Sequence, residues 1–259
     1  MDEELGRGLS ADRFKPHPGK QEKPPLPKRF YKEAASAPAD EGFTVLLDGR
    51  RLKTPARKSL YLPTEGLATA LAEEWGRQGE HIDPFAMPLT RLANTAIDRV
   101  EPQRAAVIDE TVKFADTDLL CYRAEFPEAL ARRQHAAWQP LLDWAEAEYG
   151  ARLAVTAGIL PVAQPPEAFE RLRVRVAELD DFALSGLQNA VSLFGSLILG
   201  LAVLRGRVDD ASAFEAAHLD EAFQAEQWGE DAEAAQRLAQ RRAELAETGR
   251  FLRLLGAPE

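Results

Sequence analysis

The sequence contains very little cysteine, and Cys121 is the only one in 259 residues. Without a second thiol no disulfide can form within the chain, and a zinc site built on several cysteines is equally excluded. Cys121 lies in the apolar run LLCY. That setting predicts an inert, buried thiol, because a reactive thiolate needs polar or basic neighbours.

Strongly basic stretches are also lacking. The formal net charge is -10, with 42 acidic residues against 32 lysines and arginines. A nucleic-acid-binding protein presents a dense basic surface to the phosphates, and an anionic membrane attracts the same kind of surface. We therefore expect no nucleic acid partner and no membrane insertion. An acidic protein favours a protein partner that carries basic groups.

Motifs for nucleotide, cofactor or nucleophile chemistry are absent. The sequence has no P-loop, no GxGxxG fingerprint and no G-x-S-x-G nucleophile elbow. His218 and Glu221 have the i, i+3 spacing of half a di-metal site, but a second such pair is missing. Asp116 and Asp118 flank Thr117, where aspartate commonly forms turns or caps. The sequence therefore predicts no metal, no cofactor and no catalytic activity.

The N-terminal part of the chain carries the β signals. Residues 1–28 hold five prolines and predict a flexible tail. Residues 42–63 contain β-prone runs around Asp48-Gly49, a pair that suits a type I′ turn. A helical period begins after Thr64, which is a suitable N-cap.

Helical patterns fill most of the remaining chain. We predict an α+β fold, with a small β-rich N-terminal domain over residues 29–100 and a larger multihelical domain over residues 101–259. Pro140 should kink its helix or begin a second segment, because proline lacks an amide donor and clashes with the preceding turn. The helices predicted after residue 100 cover 103–115, 127–149, 166–179, 182–204, 210–226 and 231–255.

Residues 183–204 contain no charged residue, and a run of this length is formally a transmembrane candidate. Polar side chains within the run argue against a span, because they are unfavourable in lipid. The run therefore predicts a buried core helix, with glycines that allow close helix packing. The polar residues are Ser185, Gln188, Asn189, Ser192 and Ser196, and the glycines are Gly186, Gly195 and Gly200.

Residues 208–236 hold nine carboxylates and no lysine or arginine. Like charges at helical spacing repel, and helices usually relieve this with basic partners at i, i+4. A solvated acidic face and a surface for a basic partner both fit the pattern. On a helical wheel Glu221 falls beside Phe214 and His218, whereas Glu226 falls on another side. Aromatic residues interleave with the acids and favour partner binding, namely Phe214, Phe223 and Trp228.

Seven segments carry a further signal, because they occur in a characteristic order over residues 29–250. They are RFYKEA (29–34), GFTVLLDGRRLKTP (42–55), EEW (73–75), MPLTRLANTAID (87–98), TDLLCYR (117–123), WQPLLDWAEAEYG (138–150) and LDEAFQAEQWG (219–229). Together they resemble the ATP synthase assembly-factor family, which chaperones the free alpha subunit of the catalytic head.

The resemblance implies a β-rich domain, a helical domain and no catalysis. It also implies that the protein binds the free alpha subunit and prevents its aggregation before the beta subunit arrives. Mitochondrial members carry transit peptides for the matrix, whereas this chain starts MDEELG, so a bacterial, cytoplasmic relative is expected. The family's acidic C-terminal segment is tied to client binding, which carries over to Asp220, Glu221, Gln224, Glu226 and Trp228.

Two other functions stay open. One is a cofactor-free enzyme that uses Asp116, Asp118 and Tyr122 together with Asn94. The other is a scaffold protein whose acidic surface binds a different client. A polar cluster inside a closed pocket would favour the enzyme, whereas an open groove with apolar and acidic walls would favour the chaperone.

Overall fold

The computed structural model describes residues 26–158 and 160–256, so most of the predicted tail lies outside the described residues. The fold is α+β, as predicted, with a small N-terminal sheet followed by a multihelical region. The strands are β1 (Ala34–Ala39), β2 (Gly42–Leu47), β3 (Arg50–Arg51), β4 (Tyr122–Arg123) and β5 (Thr156–Ala157). The helices are α1 (Glu65–Gly76), α2 (Pro88–Thr95), α3 (Arg104–Val112), α4 (Glu128–Tyr149), α5 (Pro166–Ala177), α6 (Asp181–Phe194), α7 (Leu197–Leu204), α8 (Asp210–Ala217), α9 (Leu219–Trp228) and α10 (Ala232–Leu255).

The N-terminal sheet is antiparallel, in the order β1-β2-β3. Asp48 and Gly49 have φ values of 46° and 77°, which confirms the predicted type I′ turn between β2 and β3. The sequence did not predict β1, because its residues AASAPA have low β-propensity. This strand forms the edge of the sheet, where the missing amide of Pro38 is tolerated.

Helix α1 joins the sheet to the end of the chain. Its predicted N-cap is confirmed, since the Thr64 hydroxyl accepts a hydrogen bond from the Leu67 amide at 3.1 Å. The same hydroxyl donates to the carbonyl of Leu254 in α10 at 2.6 Å. Leu67 and Leu71 are fully buried between α1 and its neighbours. Thr64 and Leu254, which are far apart in the sequence, are therefore in direct contact in the fold.

A buried carboxylate from α1 caps the next helix. The N-cap of α2, Met87, has no side chain that can accept a hydrogen bond from its first turn. Glu74 takes this role, because its carboxylate accepts the amides of Leu89 and Thr90 at 2.8 Å and the Thr90 hydroxyl at 2.7 Å. Only 4% of Glu74 is exposed. Burial raises the pKa of this carboxyl, and the three hydrogen bonds oppose that rise.

The long uncharged run forms two helices, so the prediction of one helix over residues 182–204 is wrong. Gly195 adopts the left-handed conformation with φ 68° and ends α6. The Ser196 hydroxyl then accepts the Leu199 amide at 3.0 Å and begins α7. A glycine stop followed directly by a serine cap therefore explains the break.

Two of the three glycines in this run allow close packing, as expected. A Cβ atom at Gly186 would lie 2.4 Å from the Leu252 side chain, and one at Gly200 would lie 2.6 Å from Val191. Gly195 has a different role, because nothing lies within 4 Å of a Cβ atom placed there. Its left-handed φ, and not its small size, explains why glycine occupies that position.

The polar side chains of α6 face a polar cavity of about 400 Å³ between α2, α3, α6 and α10. Ser185, Gln188, Asn189 and Ser192 line one side of it, opposite the α2 surface that contains Arg91. Among the helices of the described residues, none is long and apolar enough to cross a membrane.

Helix α4 is continuous over 22 residues and runs through Pro140. The predicted alternative of a second segment is therefore wrong. The helix is held by Trp138, which is 1% exposed and donates its indole N–H to the Ala216 carbonyl of α8 at 2.8 Å. One apolar core extends from Val45 in the sheet to Leu252 in α10. The division between residues 29–100 and 101–259 stays a prediction.

Replacing Glu74 by alanine should lower the free energy of unfolding by about 3 kcal/mol, because two buried amides of α2 lose their acceptor. The neighbouring Glu73, whose side chain is 55% exposed, provides a matched control. Glu73→Ala should cost less than about 1 kcal/mol. Urea unfolding followed by circular dichroism measures both changes. Similar small losses in the two variants would contradict the capping role.

Candidate functional site

The predicted helix over residues 210–226 is divided at His218, which separates α8 from α9. The His218 ring is buried, lies stacked on Phe214 at 4.1 Å between centroids, and places Nδ1 3.0 Å from the Phe214 carbonyl oxygen. It therefore packs within the α8–α9 corner. In the part of the chain that the structure describes, no group of three or more His, Cys, Asp or Glu residues could hold a metal.

One face of α9 packs on α4. The Gln134 side-chain amide donates to Asp220 at 2.8 Å. Arg133 donates to both carboxylate oxygens of Glu226, at 2.7 and 2.9 Å, and its guanidinium lies over the Phe223 ring at 5.2 Å. Asp220 and Glu226 therefore hold α9 against α4.

Basic partners do relieve the acidic run, so the interpretation that its carboxylates are unrelieved is wrong. Three arginines distant from it in the sequence reach it from α4 and from the later part of α10. Local i, i+4 spacing cannot show these three contacts, since they arise only when the helices pack. The pairs are Arg133 with Glu226, Arg242 with Glu215 at 3.6 Å, and Arg253 with Asp210 at 2.9 Å. A fourth pair, Arg237 with Glu233 at 2.7 Å, is local to α10.

Two aspartates of the run begin helices. Asp209 accepts the Ser212 amide at 2.7 Å and caps α8. Asp231 accepts the Ala234 amide at 2.7 Å and caps α10. Each places a negative charge at the positive end of a helix dipole. Much of the acidic density therefore has a local structural explanation.

The other face of α9 lines an open groove of about 590 Å³ towards α10, called the α9–α10 groove here. Glu221, Gln224 and Trp228 line it together, and Trp228 is 80% exposed. Its apolar lining includes Phe214, Ala222, Ala225, Ala234, Ala235 and Leu238. Large exposed aromatic surface next to carboxylates is typical of a protein contact surface.

The groove exists because its two helices are anchored separately. Helix α9 lies on α4, whereas the C-terminal half of α10 buries Leu245 and Phe251 in the core. Gly229, with φ 88°, ends α9, and the short link to Asp231 turns the chain away. The first half of α10 consequently faces α9 across the groove.

Three of the charged groups on the two walls of the groove have no partner among the described residues. Within the described residues neither the Glu221 nor the Glu230 carboxylate makes a hydrogen bond or ion pair. On the opposite wall the same is true of the Arg241 guanidinium. These charges are free to contact another molecule.

The five residues expected at the partner site therefore divide into two sets. Glu221, Gln224 and Trp228 share the α9–α10 groove, whereas Asp220 and Glu226 contact α4. The helical wheel is confirmed for Glu221, which lines the groove beside Phe214 and His218. The sequence did not reveal Arg241 as part of the site, because its position opposite α9 depends on where α10 packs.

The carboxylates of the alternative enzyme do not form a pair. Asp116 is exposed, whereas Asp118 is fully buried. Asp118 accepts the amides of Leu120 and Ile198, each at 3.1 Å. The Ser196 hydroxyl and the Leu197 amide also hydrogen-bond to it. Its carboxylate therefore caps the start of α7 and has no open face for a substrate.

Burial raises the pKa values of two side chains in this part of the core. It raises the pKa of Asp118 to about 6, and the hydrogen bonds oppose the rise. It also raises the pKa of the nearby Cys121 thiol to about 12, with the Asp118 charge as a smaller cause. Cys121 is free and buried, which confirms the predicted inert thiol.

Comparison with known proteins identifies a family. The profile of the ATP12 chaperone protein family matches residues 28–146. The mitochondrial protein atp12 of Schizosaccharomyces pombe is 30% identical, over 79% of this chain and 76% of the relative.

Solved structures extend the likeness to most of the chain. Atp12 from Paracoccus denitrificans is 49% identical, with a TM-score of 0.84 over 88% of this chain and 98% of that chain. A mutant of the P. denitrificans protein, with lysine in place of one aspartate, matches at 48% identity and the same TM-score. Atu1473 from Agrobacterium tumefaciens is 43% identical, with a TM-score of 0.83 over 91% of this chain and 87% of that chain.

The shared fold places the protein in the class of ATP synthase assembly factors. More particularly, the chain belongs to the ATP12 chaperone family.

The ion pair between Arg133 and Glu226 gives a direct test of how Glu226 acts. Glu226→Lys should weaken the α4–α9 contact by about 1 kcal/mol, because it places two cations side by side. Adding Arg133→Glu should restore the lost stability, since the pair is then re-formed with reversed charges. Thermal unfolding of the single and double variants measures this. A double variant no more stable than Glu226→Lys would show that the pair does not hold α9.

The pKa of Asp118 predicts a pH-dependent difference from Asp118→Ala. The folded-state pKa of about 6 exceeds the ordinary 3.8, so the stability gained on protonation is present at low pH and lost as pH rises through 6. Asp118→Ala should be less stable at pH 7 because α7 loses its acceptor. Between pH 7 and 5 the difference in the free energy of unfolding between wild type and Asp118→Ala should increase by about 1 kcal/mol. Urea unfolding at each pH measures this difference. A difference that stays constant or decreases towards pH 5 would contradict the raised pKa of Asp118.

Proposed function

We propose that this chaperone binds the free alpha subunit of the F-type ATP synthase and prevents its aggregation before the beta subunit arrives. The contact surface is the α9–α10 groove, with Glu221, Gln224 and Trp228 as direct contacts. Asp220 and Glu226 belong to the same segment and contribute by holding α9 on α4.

The observation that carries this proposal is the exposed Trp228 beside an unpaired Glu221 in an apolar groove. Trp228 is 80% exposed, and the Glu221 carboxylate has no partner within the described residues. Aromatic anchors among carboxylates commonly dominate protein contacts. The groove is open and apolar with an acidic wall on α9, which suits a protein client with apolar and charged surface better than a small substrate.

The protein acts without catalysis and without a cofactor. The buried Asp118 carboxylate supports this, because α7 and its neighbours occupy its hydrogen-bonding capacity. We also propose a bacterial, cytoplasmic location, while the relative from S. pombe is described as mitochondrial. A scaffold role with another client is the competing function, and the choice of client in the experiment below separates the two.

Suppression of alpha-subunit aggregation tests the proposal. Glu221→Lys and Trp228→Ala should each weaken capture of the alpha subunit by at least about 10-fold, because losing a contact at a desolvated interface costs about 2 kcal/mol or more. Light scattering of refolding alpha subunit at a series of chaperone concentrations gives the apparent affinity. Circular dichroism should show an unchanged fold, since both side chains are exposed.

Glu170→Lys is the matched control, because Glu170 is an exposed glutamate on α5 and does not line the groove. It makes the same change in net charge as Glu221→Lys. The proposal expects Glu170→Lys to protect the client as wild type does. Equal protection by all three variants would place the client site elsewhere, and wild-type protection of an unrelated client but not the alpha subunit would favour the scaffold.

A further inference from the structure

The α9–α10 groove has walls of opposite charge. The wall formed by α9 and the following link carries the carboxylates of Glu221 and Glu230, neither of which has a partner among residues 26–158 and 160–256. The α10 wall carries Arg237, Arg242 and the guanidinium of Arg241, which has no partner within the same residues. An occupant therefore meets negative charge on one side and positive charge on the other.

Arg237 and Arg242, which lie beside Arg241 on the α10 wall, both have partners within the protein. Neither pair changes which wall carries which charge. Arg237 donates to Glu233 of its own helix at 2.7 Å. Arg242 pairs with Glu215 at 3.6 Å and lies over the Phe214 ring at 4.9 Å. Both pairs lie at the surface, and Arg241, which has no partner among the described residues, can pair with a client without breaking either of them.

The floor between the walls is narrow and apolar. Alanines from both helices and Leu238 line it, and Phe214 with the stacked His218 closes one end. Trp228 stands at the opposite end of α9 and is mostly exposed. Helix α9 has 10 residues, so the groove is about 15 Å long. That length equals about three turns of helix.

We infer that the groove binds an amphipathic helical segment of the client, with basic side chains along one flank and acidic side chains along the other. This rests on the proposed function and names the chemistry of the segment that the chaperone captures. The apolar face lies on the alanine floor, the basic flank meets Glu221 and Glu230, and the acidic flank meets Arg241. A helix in a groove buries its apolar stripe while its charged flanks set specificity.

Synthetic peptides test this inference directly. Three capped 14-residue amphipathic helices share one leucine face and differ only in their flanks, which are lysine and glutamate, lysine on both sides, or glutamate on both sides. The mixed peptide can match both walls in one of its two directions along the groove, because reversing a helix exchanges its flanks. Binding is measured by isothermal titration calorimetry and by tryptophan fluorescence, with Trp228→Phe to assign the signal.

Wild type should bind the mixed peptide about fivefold more tightly than either uniform peptide, since each exposed wall contributes a modest charge pairing. Glu221→Lys combined with Glu230→Lys should shift the preference to the glutamate peptide. Arg241→Glu should shift it to the lysine peptide. All three side chains are exposed, so these variants should keep their fold.

Absence of peptide binding, or preferences that do not change with the walls, would overturn the inference. Alpha-subunit capture by the same variants separates this outcome from failure of the proposed function. Loss of capture without any peptide preference would leave the client site in place but exclude a helical occupant with divided flanks. Wall-dependent peptide binding with unchanged capture would support the groove chemistry and reject the alpha subunit as its occupant.

Discussion

Backbone amides at the start of buried helices need acceptors, and in this protein two distant carboxylates supply them. Glu74 of α1 caps α2, and Asp118 caps α7. Both are buried, so their hydrogen bonds form away from water and an unpaired amide would be costly there. These two interactions satisfy the first turns of α2 and α7, whose apolar side chains are buried in the core. The remaining helices, including those that line the α9–α10 groove, pack on that core.

The α9–α10 groove depends on this arrangement because its two helices are anchored separately. Helix α4 packs on α7 and holds α9 through Arg133 and Gln134. Helix α10 packs on α2 and α6, where Gly186 allows the close approach of Leu252. Since α9 and the first half of α10 are fixed by different neighbours, a groove stays open between them. A rigid scaffold thus keeps apolar surface available without collapse.

Local signals in the sequence predicted the elements whose cause is also local. The Asp48-Gly49 turn and the Thr64 cap need only neighbouring residues, and both are confirmed. The face of α9 that carries Glu221 followed from helical period alone. The chemistry of short motifs therefore predicted the sheet turn, the first helix and part of the candidate site.

Most of the predictions that failed, or elements that were missed, concern interactions between distant segments. The basic partner of Glu226 is Arg133, 93 residues away, so the acidic run looked unrelieved when only its own spacing was considered. Strand β1 has a weak β-prone sequence and is formed by its pairing with β2. The Gly195-Ser196 break had a local signal, but the uniform apolarity of the run outweighed it in the prediction.

Hydroxyl-radical footprinting of the chaperone, free and bound to the alpha subunit, tests the central claim that the α9–α10 groove is the client surface. Trp228 is 80% exposed and Phe126 is 84% exposed, so both should oxidise readily in the free protein, whereas Trp138 at 1% should not. We expect the alpha subunit to protect Trp228 and to leave Phe126 reactive. Unchanged oxidation of Trp228 in the complex, with protection of another exposed aromatic residue, would contradict it.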